Sequence, residues 1–445
     1  MRQYFLGLIL LGALCTPSAR AAEQTLLQLL GRPLGEQPPT LINHGNGPLP
    51  SGTFIAQDKS KGVSWFINLT KGTARAVELP YNNGNHESAL SADGLTLASP
   101  HYETLGPGDP EGGGFHPGAE VSLVDLKTGQ SRVLTAAANP LGRPKPHGAQ
   151  WLANGDLVVT AQQANGLIRF PKPLSPGAGV PQVLNFAGTA CHTPHLVEQI
   201  PSSNLVVSGC RCTNPGDKPS CAGALAVADL ESGGTRVLPA GLGAEGIAVT
   251  PQGEVWLGGL RGNVVSIYGF VRGERRLDQL KLLKQIYVPK PLRLAYEAST
   301  NTVGVVSYEP KAGASEINFR SFDAKNHSLV GATVLKSSVR GRINSQGLAA
   351  ANGVFITGGF NNQTIVIVDP KTLKVSAEIL MPRCSLPAGY NSPTPMTEQA
   401  AIKQKQTGAN NWSGGVCPGT MRNPDDRRFA VMDGFTWSPQ DLSAS

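Results

Sequence analysis

One short pattern recurs along the chain: a polar residue, an apolar stretch, and a Gly or Asn turn about eight residues downstream. It runs from His86-Glu87-Ser88-Ala89-Leu90 to Asp93-Gly94, from His147-Gly148-Ala149-Gln150-Trp151 to Asn154-Gly155, and from His195-Leu196-Val197 to Ser203-Asn204. It continues from Glu245-Gly246-Ile247 to Gln252-Gly253 and from Arg293-Leu294-Ala295 to Thr300-Asn301, and from Gln346-Gly347-Leu348 it reaches Asn352-Gly353 with one residue fewer. Successive starts lie 61, 48, 50, 48 and 53 residues apart. A fixed period in this range is the mark of stacked supersecondary units that share one continuous core.

Each unit continues alike. An apolar run follows the turn (Leu157 to Thr160, Val255 to Leu257, Val354 to Thr357), then a run ending in a polar turn such as Asp125-Leu126-Lys127-Thr128-Gly129 or Asp369-Pro370-Lys371-Thr372. A last β-branched run closes the unit, as in Arg132-Val133-Leu134 or Lys374-Val375-Ser376. Short alternating runs bounded by such turns are hairpin strands. Four strands per unit make one propeller blade, since a lone four-stranded sheet buries both faces only when neighbours stack on it around a ring. The expected fold is therefore all-β, a seven-bladed β-propeller of four-stranded blades. Six units lie between about 86 and 381, and Thr53 to Asp58, Val63 to Leu69 and Ala74 to Leu79 read as three strands lacking an inner partner. Asp426 to Met432, followed by Asp433-Gly434, is expected to supply that strand and close the ring.

The chain of 445 residues has 53 Gly and 35 Pro, more than average but less than a disordered chain carries, and 16% charged residues exclude a coiled coil. At the N-terminus Arg2, the apolar run Tyr4 to Ala13 and the Ala19-Arg20-Ala21 site describe a secretory signal peptide, with cleavage expected near Ala21. Leu14 before Cys15 argues against a lipid anchor there. The expected organisation is a signal peptide over 1–21, an extension over 22–52, and a single propeller domain over 53–445 that includes a loop-rich insertion at about 382–425. No segment has the uninterrupted apolar length of a membrane helix. Loss of Arg2 and Arg20 takes the net charge from +7 to +5, a mild bias over such a length. Cleavage leaves Cys191, Cys210, Cys212, Cys221, Cys384 and Cys417, an even set that reads as three disulfides in a secreted or periplasmic protein. Cys191 can bridge to Cys210 or Cys212 across a hairpin, leaving the other for Cys221, with Cys384 and Cys417 stapling the tail.

The first residues of each inner strand point toward the axis at one mouth of a propeller. His86, His147, His195, Glu245, Arg293 and Gln346 are thus expected to form a ring, with Asp426 or Arg427 as its seventh member. Three imidazoles and a carboxylate suit a transition metal, copper or zinc. A metal-free pocket for a small molecule and a solvated structural channel fit the same residues. Arg293 suits an anionic ligand or pairs with Glu245. His101 flanks the same mouth, and His116 lies in a Gly/Pro-rich loop. His192 lies three residues before His195, on the opposite side of the strand unless Pro194 reorients it. His44 and His327 read as surface residues. The tail is locally basic at Lys403, Lys405 and Arg422, with Trp412 the one clear aromatic beside it, a weak case for single-stranded nucleic acid. Phosphate-binding, nucleophile-elbow, zincin and haem-attachment motifs are all missing.

The segments His86-Glu87 with Ser91 to Gly94, Pro146-His147-Gly148 with Asn154 to Thr160, and Ala244 to Pro251 with Val255-Trp256 resemble the secreted YVTN-type, or cytochrome-d1-like, seven-bladed propellers. Those share a fold with lactonases, and the match covers roughly 50–381. His192-Thr193-Pro194-His195 with Asn204 to Ser208 is also similar to a segment of selenium-binding proteins, propellers implicated in copper binding. The expected function is a monomeric secreted or periplasmic propeller that binds a small or anionic molecule or a metal in a His-lined channel. The alternatives are a metal-dependent lyase, lactonase or oxidase, and an interaction protein for nucleic acid or an envelope partner.

Overall fold

A computed structural model describes residues 40–47, 49–58, 63–78, 87–104, 116–128, 130–135, 144–212, 222–271, 273–308, 317–339, 341–343, 345–359, 364–381, 432–438 and 440. These residues form seven antiparallel blades around one axis. The second blade comprises Ala89–Leu90, Thr96–Pro100, Glu120–Asp125 and Ser131–Thr135. The inner strands of the third to seventh are Pro146–Trp151, His192–Gln199, Ala244–Val249, Pro291–Glu297 and Ser345–Ala351. Each is followed by three more strands in simple order. Thr40–Asn43 pairs with Val375–Leu380 and adds a fifth strand to the rim of the seventh blade.

The first blade joins the two ends of the chain. Met432–Ser438 pairs antiparallel with Thr53–Asp58, which continues into Val63–Asn68 and Thr73–Glu78. The closing strand therefore lies later than the spacing implied. Asp433-Gly434, read as a turn, sits inside the strand, because Phe435 is the residue that must reach the core. Phe435 packs edge-on against Phe54, with ring centroids 5.0 Å apart, in a cluster that includes Trp65, Ile356 and Ile367 of the first and seventh blades. Asp426 and Arg427 lie outside the described residues.

Side chains alternate between the two faces of every strand, so second strands such as Leu157–Ala161 and Val255–Gly259 are buried on both faces. The inner strands carry a further repeated device. A register shift falls between Pro146 and Ala149, Pro194 and Val197, Ala244 and Ile247, Pro291 and Arg293, and Ser345 and Gly347. A bulge re-aims the side chain it carries, and here it carries His147, His195 and Glu245, with Arg293 at its edge. Just before each lies a left-handed residue: Lys145 (φ 56°), Thr193 (φ 51°), Gly243 (φ 66°) and Lys290 (φ 41°). Three of these four are not glycine, a conformation costing about 1–2 kcal/mol each. Neighbouring blades offset it, since Asn165 Oδ1 accepts from Thr193 N at 3.0 Å and Asn263 Oδ1 from Lys290 N at 2.9 Å.

The glycine after the ring residue has a steric cause. A Cβ at Gly148 would stand 2.9 Å from the His195 carbonyl oxygen, and one at Gly246 would stand 2.5 Å from that of Leu292. Inner strands of adjoining blades meet backbone to backbone at these points. At the opposite mouth Glu297 ties the sixth blade to the seventh, accepting from Ser299, from Thr300 N at 2.7 Å and Thr300 Oγ1 at 2.6 Å, and from Gly353 N at 2.8 Å.

Two outcomes follow from these contacts. Phe435→Ala is expected to cost about 3–5 kcal/mol in equilibrium denaturation, as large aromatic truncations in packed cores do; a loss under about 1 kcal/mol would show that the closing strand does not hold the ring. Burial pushes the Glu297 carboxyl up, yet its hydrogen bonds from Thr300, Gly353 and Ser299 outweigh burial and hold it below the ordinary 4.5. A depressed carboxyl contributes stability that is present above the unfolded value and lost as pH falls through the folded one. Wild type should thus lose stability through and below the ordinary carboxylate range more steeply than Glu297→Gln, measured as urea midpoints across acid pH.

Candidate functional site

Four ring residues meet at the mouth where the inner strands begin. His147 of the third blade and His195 of the fourth stack with ring centroids 3.9 Å apart and planes tilted by 43°. His195 Nδ1 lies 3.1 Å from the Glu245 carbonyl oxygen and 3.4 Å from Glu245 Oε2, on the fifth blade. Glu245 Oε2 lies 3.9 Å from Arg293 Nη1, on the sixth. All four are nearly buried.

The structure adds four residues that the repeat did not single out. Arg211, at the end of Leu205–Cys212, binds Glu245 Oε1 through Nε at 2.7 Å and Nη2 at 2.6 Å. Glu87 reaches across the axis to Arg293 Nη2 at 2.7 Å. Tyr102 stands edge-on to His147 with centroids 5.1 Å apart, and Lys145 Nζ lies 3.9 Å from the Tyr102 ring centroid. Arg293 therefore lies between Glu87 and Glu245, which includes the Glu245 pairing offered for it. Glu87 was adjacent to a ring position in the sequence, but Tyr102 and Arg211 lie on second strands or just past them and carry no repeat signal. One signal was available: Lys145-Pro146, Thr193-Pro194 and Lys290-Pro291 all introduce a ring residue, and Pro fixes φ at the strand entrance.

Other expected members fall elsewhere. His86 lies outside the described residues, and Gln346 is described only in its backbone, on the inner strand of the seventh blade. His101 points into the sheet, fully buried, with Nε2 2.7 Å from Ser122 Oγ, and burial pushes its pKa down to about 4. Its neighbour Tyr102 takes the place facing His147. His192 Nδ1 pairs with Asn165 Nδ2 at 3.2 Å and so leaves the axis to His195. His44 and His327 pair with Glu378 at 2.8 Å and Glu254 at 2.9 Å. Cys191 and Cys210 form a disulfide with Cα atoms 5.3 Å apart, joining the strands that carry His195 and Arg211. The side chain of Cys212 and all of Cys221, Cys384 and Cys417 lie outside the described residues.

Burial, then His147, Arg211 and Arg293, hold the His195 imidazole well below its usual range, against the opposing pull of the Glu245 carbonyl. Its Nδ1 approaches Glu245 Oε2 at 3.4 Å. Three cations (Lys145, Arg211, Arg293) face two carboxylates (Glu87, Glu245). Glu245, one of the expected metal ligands, is engaged by two guanidinium groups, and His86, another, lies outside the described residues. Among the described residues no three His, Cys, Asp or Glu side chains are arranged to hold a metal.

No protein-family model and no curated protein matches the chain. Similar solved structures include selenomethionine-substituted virginiamycin B lyase from Staphylococcus aureus (TM-score 0.49, 14% identity, covering 77% of this chain and 99% of that one). A streptogramin B lyase aligns with TM-score 0.49 and 12% identity over 77% of this chain and 98% of its own. A catalytically inactive S. aureus virginiamycin B lyase with quinupristin aligns with TM-score 0.47 and 15% identity over 77% and 99%.

Removing Arg293 leaves Glu87 and Glu245 facing each other without their shared cation. Arg293→Met is expected to cost about 3–5 kcal/mol in urea unfolding, and adding Glu87→Gln should restore a large part of it. Equal losses with and without Glu87→Gln would show the pairing to be energetically idle.

Proposed function

We propose that this chain is an extracytoplasmic propeller that binds a small anionic molecule, a carboxylate in the simplest case, at the axial mouth between the third and sixth blades. One observation carries the reading: Arg211 and Arg293, from different blades, converge on the single carboxylate of Glu245. Guanidinium forks match carboxylate geometry in two parallel hydrogen bonds. Glu245 thus marks a place where a carboxylate is held. Arg211 is the member that meets solvent, with its side chain 37% exposed, and so the one a ligand would reach first. The extracytoplasmic setting is supported by the Cys191–Cys210 disulfide and by the signal-peptide pattern. Among the described residues no helix is long and apolar enough to cross a membrane.

Titration with acetate and phenylacetate, followed by calorimetry or by NMR of the ligand, tests the proposal. Wild type is expected to bind, and Arg211→Met, compared at a temperature where both variants are folded, to bind at least about tenfold more weakly, the loss of a charge-assisted hydrogen bond. No binding to wild type, or equal binding to the variant, would sink it.

A further inference from the structure

The hydrogen bond that holds His195 also fixes its tautomer. A carbonyl oxygen only accepts, so the ring nitrogen 3.1 Å from Glu245 O must be N–H. The ring lies between His147 and two arginines, 1% exposed, where a second proton would add a buried charge beside existing cations. A neutral imidazole with its proton on Nδ1 has a bare lone pair on Nε2. Among the described residues no group donates to that nitrogen. The cluster therefore sets an acceptor within a group of cationic donors. Lysine and arginine side chains only donate, and the carboxylates of Glu87 and Glu245 are engaged by Arg293 and Arg211, so His195 Nε2 is the neutral acceptor that the cluster offers a ligand's proton donor.

Resting on the carboxylate reading above, we infer that the ligand carries a hydroxyl or N–H donor next to its carboxylate, as a 2-hydroxy acid does, with the carboxylate on the Arg211 and Arg293 side and the donor on His195 Nε2. Both halves of such a ligand find complementary partners, whereas a plain carboxylate makes no hydrogen bond to His195 Nε2. The His147 ring stacks on that of His195 with centroids 3.9 Å apart, and Tyr102 stands edge-on to His147.

Matched pairs test this: glycolate against acetate, and mandelate against phenylacetate, titrated into the full chain. Wild type is expected to prefer the hydroxy acid about five- to tenfold, the worth of one neutral hydrogen bond. His195→Phe keeps the ring but removes the acceptor and should bring each pair to equal affinity, while His195→Gln, whose amide oxygen accepts, should recover part of the preference. Equal affinity within both pairs for wild type overturns the inference and leaves the carboxylate reading standing. Failure of all four acids to bind overturns that reading itself. If His195→Phe does not fold, the wild-type comparison and His195→Gln decide the matter alone.

Discussion

Blade-on-blade burial is the constraint on which everything else in this protein rests. A four-stranded sheet with apolar residues on both faces has no stable existence alone, so each blade must be covered by two neighbours and the series must close. Closure falls to Met432–Ser438, which supplies the inner strand of a blade whose other three strands come from the opposite end of the chain. The Phe435 side chain lies between the first and seventh blades, against Phe54 and over Gly347. Without that strand two blades lose a covering face, and the axial arrangement of the remaining inner strands loses its frame.

The same closure explains why polar groups can be concentrated at the axis. Inner strands approach each other closely enough that glycine is required at Gly148 and Gly246, and this brings the preceding residues of adjoining blades into contact. Bulges and left-handed residues at each strand entrance turn those side chains inward. The strain is offset by hydrogen bonds from the blade before, through Asn165 and Asn263. A chain of groups from five consecutive blades results, running from Glu87 and Tyr102 through His147, His195 and Glu245 to Arg293. Its charges are largely matched internally, which makes burial tolerable. The Cys191–Cys210 disulfide braces this arrangement at the hairpin where two of its members are carried.

Fold class, blade number and the idea that the ends close the ring were legible in the sequence, because hairpin periodicity and turn residues are local signals. Most strands of the first blade were placed within a residue of their observed limits, whereas the closing strand was placed six residues early. There the repeat depended on a single Asp-Gly pair, and side-chain burial of Phe435 decided the register instead. Of the ring, His147, His195, Glu245 and Arg293 came together as the repeat implied. His101 did not join them, since a residue beside a strand end points inward or outward according to packing that no local pattern encodes, and here Ser122 draws it into the sheet.

Sequence by itself determined that about seven like units exist and which polar residues begin the third to sixth, because both follow from spacings of a few residues. Only tertiary structure decided what those residues do to one another. Arg211 and Tyr102 entered the site from strands that carry no ring position, and Glu87 found Arg293 across 206 residues of chain. The proton on His195 was fixed by a backbone carbonyl 50 residues away. Pairings of that kind depend on distances between blades, and these are set only when the ring has closed.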